Sequence, residues 1–177
     1  MSPQAPGFTL IELLCCLALL AGVIGWGAPT FRDISLNTAR TREVTGFVQA
    51  VYLARSEAIK RNGVVSLCPS RNGETCGPAG TAWHEGWTVF VNDDRDSPAV
   101  RDDGETLLRV HAAWHSGLIV ANRTTLSFRA FGQTGVTATL TFCDRRGSRA
   151  ARAVIISQSG RPRIASQNAS GGALSCA

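Results

Sequence analysis

Two guanidinium groups two residues apart, Arg161 and Arg163, stand in the stretch Ser159-Gly160-Arg161-Pro162-Arg163. On an extended chain that spacing puts both on one face about 7 Å apart, close to the separation of neighbouring phosphates along a nucleic-acid strand. Pro162 holds the backbone extended and Gly160 opens a turn before it, so the pair has little entropy left to lose on binding. Arg145, Arg146, Arg149 and Arg152 come just before, and with Asp144 as the sole acid, residues 143–177 sum to six minus one, or +5. The preceding residues carry twelve basic and twelve acidic side chains, so all of the net charge lies in this tail. Every cation in it is Arg, which forks bidentately onto phosphate and stacks on bases. That is the chemistry of a nucleic-acid contact. The charge alone fits equally well a solvated basic face, or arginines packed against acidic neighbouring subunits.

Other clusters offer less. Trp83-His84-Glu85, the run Asn92-Asp93-Asp94-Arg95-Asp96 and Asp102-Asp103-Gly104-Glu105 suggest an acid–base pair or a calcium loop. The acidic run lacks the alternate-position ligands and terminal Glu of an EF-hand, and reads as a solvated connection between strands. His111 and His115 read as packing or surface residues near Trp114. No catalytic constellation emerges, so the expectation is a non-enzyme without cofactor. Cys68, Cys76, Cys143 and Cys176 allow three pairings, of which proximity favours Cys68 with Cys76 and Cys143 with Cys176. The second bridge would tie the C-terminal tail to the last strands, closing a loop worth about 3–4 kcal/mol. Zinc is the rival, but no His stands at ligand spacing beside Cys68 and Cys76, so no metal is expected. Cys15 and Cys16 read as small apolar fillers.

These groups need elements to position them. At 177 residues the chain holds one domain and an N-terminal extension. Val44, Phe47, Val48, Val51, Ala54, Ala58 and Ile59 recur at helical spacing, with Arg40, Arg42, Glu43, Arg55 and Lys60 left for the other side, and Asn62-Gly63 stops the helix. Beyond it, Val64–Cys68, Trp87–Val91, Thr106–Val110, Thr124–Phe128, Thr139–Cys143 and Ala153–Ile156 read as strands, rich in β-branched and aromatic residues. A long helix laid on an antiparallel sheet is an α+β fold.

Between Phe8 and Phe31 the only ionisable side chain is Glu12. About twenty-four residues suffice to cross about 30 Å of hydrocarbon as a helix, so the segment reads as a membrane span. Gly22, Gly25, Gly27 and Pro29 mark its natural kink. A secretory signal is disfavoured, since Met1–Gly7 holds no Lys or Arg and Arg32 follows the span. Instead, Gly7-Phe8-Thr9-Leu10-Ile11-Glu12-Leu13-Leu14 closely resembles the class III signal of type IV prepilins. The resemblance implies cleavage between Gly7 and Phe8 by a prepilin peptidase that then methylates the new N-terminus. It also implies pairing of Glu12 with the amino terminus of a neighbouring pilin subunit; a lone carboxylate in an apolar span is costly without such a partner.

At the other end, Ala153-Val154-Ile155-Ile156-Ser157 followed by Gly160-Arg161-Pro162-Arg163 resembles the C-terminal signature of FimT-type minor pilins, a branch of the FimT/GspH family. The resemblance implies a type IV pilin-like fold and a DNA-binding minor pilin of natural transformation, with the Gly-Arg-x-Arg tail as the contact. The expected organisation is a leader at 1–7, a transmembrane helix half at 8–31, an amphipathic half at 32–62 and a periplasmic β-rich head at 63–177. The chain would be held in the inner membrane by a single pass until assembly into a filament. The alternative is a structural minor pilin, or a type II secretion pseudopilin, with no nucleic-acid role.

Overall fold

The computed structural model describes residues 7 and 9–177, side chains at 26–30 excepted. Phe8, the leader before Gly7 and the part of the expected kink at Gly27 and Pro29 lie outside these described residues. Helix α1 spans Leu10–Arg61. It begins at Thr9, whose hydroxyl accepts the backbone N–H of Glu12 at 3.4 Å and satisfies one of the free donors of the first turn. It ends where Asn62 turns left-handed at φ 51°. There the N–H of Gly63 bonds the carbonyl of Ala58 at 3.1 Å and the N–H of Asn62 that of Ile59 at 3.2 Å, closing the last turn.

The chain divides into two compact units, 1–39 and 40–177. In the first, Leu10, Ile11, Leu13, Leu14, Leu17, Leu20 and Val23 are exposed. The expected membrane span is corrected here: among the described residues no helix is long and apolar enough to cross a membrane. The apolar side chains described run over residues 10–25, about 24 Å at helical rise against about 30 Å of hydrocarbon. The next described side chains, Phe31, Arg32 and Asp33, bring in charge. Single-pass insertion in the inner membrane, a periplasmic head and the membrane as a partner lose their support with the span.

The second unit holds the rest of α1 and eight strands. Strands β1 (Val65–Pro69), β2 (Trp87–Val91), β3 (Leu107–His111) and β5 (Leu126–Phe128) form one sheet in the order β3-β2-β1-β5. Strands β4 (Gly117–Ala121), β6 (Ala138–Asp144), β7 (Arg152–Ile156) and β8 (Pro162–Ala165) form a second, in the order β4-β6-β7-β8. All pairings are antiparallel. The helix covers both sheets with Val44, Phe47, Ala50, Val51, Ala54 and Ala58, all buried. Phe47 presents edges or faces to Trp83, Trp87 and Phe142 at centroid distances of 5.5, 5.4 and 5.9 Å, joining the two sheets through one ring. The fold is therefore α+β, with two four-stranded sheets under the helix.

The helical sides differ from expectation at three positions. Ile59 is 49% exposed, whereas Arg40 and Glu43 are buried. Each buried charge has an opposite group on the sheets: Arg40 meets Asp144 at 3.4 Å, and Glu43 meets His111 at 2.8 Å. His111 also stacks on Trp87 at 3.8 Å. The acidic connection is likewise less solvated than expected, since Glu105 is buried and its carboxylate accepts the N–H groups of Asp93 at 2.7 Å and Asp102 at 3.0 Å.

Two disulfides brace the unit. Cys68 bonds Cys76 with Cα atoms 5.5 Å apart, and Cys143 bonds Cys176 with Cα atoms 6.0 Å apart. The second carries Leu174 against Cys143, Ala151, Ala153 and Ile155, which gives the tail a small apolar core of its own.

Candidate functional site

The arginine tail is built on the hairpin joining β7 to β8. Ser157 and Arg161 close the turn: the Ser157 N–H bonds the Arg161 carbonyl at 3.2 Å, and the Ser157 hydroxyl accepts the Arg161 N–H at 3.3 Å. Gly160 sits inside the turn at φ +75°, where a Cβ would stand 2.1 Å from the carbonyl oxygen of Gly132, so no other residue fits without moving the neighbouring loop. Pro162 begins β8 at the sheet edge, a place in a sheet where a missing N–H costs nothing. Arg163 lies opposite Ile155 in the register, and by strand alternation Arg161, bonded to Ser157, shares its face.

Of the seven positions expected at a DNA contact, the six arginines fall into two groups. Arg161 and Arg163 are exposed and make no side-chain hydrogen bond or ion pair with the described residues; Arg145 and Arg149 are likewise exposed and unpaired. Gly160 shapes the turn. Arg146 and Arg152 are engaged internally. Arg146 forks onto Asp144 with contacts of 3.0 and 2.6 Å, and Arg152 donates to the Ala151 carbonyl at 2.9 Å. Asp144 is buried, and the Arg146 guanidinium, with help from the Arg146 N–H and from Arg40, holds its carboxyl below the usual aspartate range against the opposing effect of burial. Burial in turn pulls the Arg40 guanidinium down while Asp144 raises it, and Arg40 also donates to the Ala150 carbonyl. A guanidinium stays protonated through such a shift, so the cluster is a structural lock on the end of β6.

Sequence reasoning passed over the loop between β5 and β6. Arg129-Ala130-Phe131-Gly132 packs its glycine carbonyl against Gly160, and Phe131 at its tip is 85% exposed. The readable signal was an aromatic between an arginine and a glycine, in a stretch from Thr106 to Cys143 without an acidic residue. The same loop lines a groove of about 590 Å³ with Arg129 and Thr134, across from Arg95, Asp96 and Ser127 among others.

Of the remaining expected sites, Glu12 stands in the first turn of α1 and Gly7 is exposed. Among the described residues no cluster of His, Cys, Asp or Glu is arranged to hold a metal ion. His84, Glu85 and His115 line a second shallow groove, where Arg71 beside it holds the exposed Glu85 carboxyl down at about 2.

The family model for type II transport protein GspH matches residues 43–160. Two crystal structures of the type IV minor pilin FimU from Pseudomonas aeruginosa (strain PAO1) share the fold. One is 22% identical with a TM-score of 0.53, covering 79% of this chain and 98% of FimU. The other is 21% identical with a TM-score of 0.55, covering 83% and 99%. No curated protein matches the chain. None of these names is that of a catalyst. The matched family range stops at Gly160 and starts at Glu43, so neither the Gly7–Leu14 motif nor the Arg161–Arg163 pair contributes to it.

Proposed function

Because the chain belongs to the GspH family of type II transport proteins, we propose that it is an assembly subunit of a pilus or pseudopilus, working among other pilin subunits. The observation that carries this reading is the family match itself, which spans the helix from Glu43 on, the whole first sheet and three of the four strands of the second. In this role a prepilin peptidase cuts between Gly7 and Phe8, and Glu12 meets the amino terminus of a neighbouring subunit, setting the register between them. Recovery of the chain from sheared filaments tests the reading, and its absence from filaments would remove it.

A second reading, a minor pilin that also binds DNA for uptake in natural transformation, is favoured by one feature. Arg145, Arg149, Arg161 and Arg163 are exposed without partners among the described residues. Evolving four such cations around a braced tail has no use in holding the fold together, because exposed charges contribute little to stability. With two to four phosphate contacts, log affinity for duplex DNA should fall against log salt with a slope of about −2 to −4. Arg161→Gln with Arg163→Gln should remove most of the binding and leave thermal stability unchanged. Equal binding by both forms, or none by either at low salt, would leave only the assembly role.

A further inference from the structure

Phe131 is the most exposed large apolar side chain of the molecule's described residues, at 85%. Its loop is not loose. The Gly132 N–H bonds the Arg129 carbonyl at 2.7 Å, and the Arg129 N–H bonds the Gln133 carbonyl at 3.0 Å, which folds residues 129–133 into a tight turn. Arg55 reaches from α1 to the Gly132 carbonyl at 3.1 Å, and the Thr134 N–H bonds the Gln158 carbonyl at 3.2 Å. The turn is thus tied to itself, to the helix and to the β7–β8 hairpin. A phenyl ring on a tip held from three sides is presented outward with little conformational freedom left to lose.

Its surroundings are positive. From Thr106 to Ala177 the only acidic side chain is Asp144, and that one is buried with Arg40 and Arg146. Gly132 and Gly160 are buried against each other, so the exposed Phe131 and Arg161 each lie one residue along the chain from a shared contact, and the exposed Arg129 belongs to the same turn as Phe131. Asp96 lines the groove that Arg129 also lines, with its carboxylate taken by Asn92 at 2.9 Å and the Val100 N–H at 2.8 Å. An aromatic face among unpaired arginines suits a ligand that alternates π-faces with phosphates, which is an unstacked nucleic-acid strand. A duplex keeps its base faces inside the stack and offers Phe131 nothing.

We propose that Phe131 is a base-stacking platform and that the surface formed by Phe131, Arg129, Arg161 and Arg163 binds single-stranded DNA in preference to duplex. This rests on the DNA-contact reading and adds to it the strandedness and a residue outside the arginine tail. The experiment titrates the full-length protein at low salt against labelled oligothymidylate, an abasic deoxyribose-phosphate polymer of the same length, and duplex DNA. Phe131→Ala should weaken oligothymidylate binding about five- to a hundredfold, the range for loss of one stacked base, and leave the abasic polymer and duplex unchanged. Phe131→Trp should restore the binding. Arg161→Gln with Arg163→Gln should weaken all three. Oligothymidylate binding by Phe131→Ala equal to wild type, with the arginine variant still impaired, overturns the platform and leaves the arginine contact standing. An equal loss on all three polymers for Phe131→Ala also overturns it, as damage to the surface at large. No binding of any polymer by the wild type removes the platform and the DNA reading together.

Discussion

Asp144 ends β6 with its carboxylate shared between Arg146 and Arg40, and so decides which arginines of the tail are available to a partner. Its carboxyl is held below the usual range, so it contributes stability that is complete above the unfolded value of about 4. That contribution is lost as the pH falls through the lower folded value. Asp144→Asn takes away the carboxylate that two cations share at a buried position, and a broken buried pair costs about 3–5 kcal/mol. Denaturant melts of the full chain at neutral pH should show that loss, and the variant should lose less than wild type on acidification below about pH 4. A variant as stable as wild type at neutral pH, with the same acid limb, would show that the pair is not holding the end of β6.

At the scale of elements, the β7–β8 hairpin and the β5–β6 loop constrain each other through Gly160. Gly135→Ala provides the comparison, since Gly135 has a similar φ of +72° but open space where a Cβ would go. Both substitutions carry the backbone strain of a left-handed alanine, about 1–2 kcal/mol. Gly160→Ala adds a collision with the Gly132 carbonyl and should cost clearly more, read as a lower midpoint in thermal or denaturant unfolding. Equal losses would mean that the loop simply gives way. Much of this layer was legible in the sequence: Trp87–Val91 is β2, and the other five expected strands lie within two residues of β1, β3, β5, β6 and β7. What was missed has physical causes. Strand β8 starts on a proline, which reads as a break until an edge position makes it harmless. Strand β4 is a five-residue apolar run from a glycine, too short for its periodicity to speak. Helical spacing placed most of the apolar residues but not Ile59, and it could not show that Arg40 and Glu43 have polar partners on the sheets, because those partners, Asp144 and His111, are distant in sequence. The hairpin arginines were readable from spacing; Phe131 was not, since its importance depends on the Gly132–Gly160 contact.

For the whole molecule, the family match and the specific motifs lie on different parts of the chain. The residues matched, 43–160, form the helix-on-sheets body, while the Gly7–Leu14 motif and the Arg161–Arg163 pair lie outside it on either side. The body therefore supports a subunit that packs among others, and each end adds a separate property that is tested separately. Glu12 is the more informative end for assembly, because its replacement removes a charge placed in the first turn of α1, within the 1–39 unit. Quantitative mass spectrometry of sheared filaments, from cells making wild-type or Glu12→Ala protein, tests the assembly role most directly. The predicted result is wild-type chain in the filaments beginning at Phe8, with Glu12→Ala present in cells at similar levels yet depleted from the filaments. A wild-type chain present in cells and absent from filaments would contradict it.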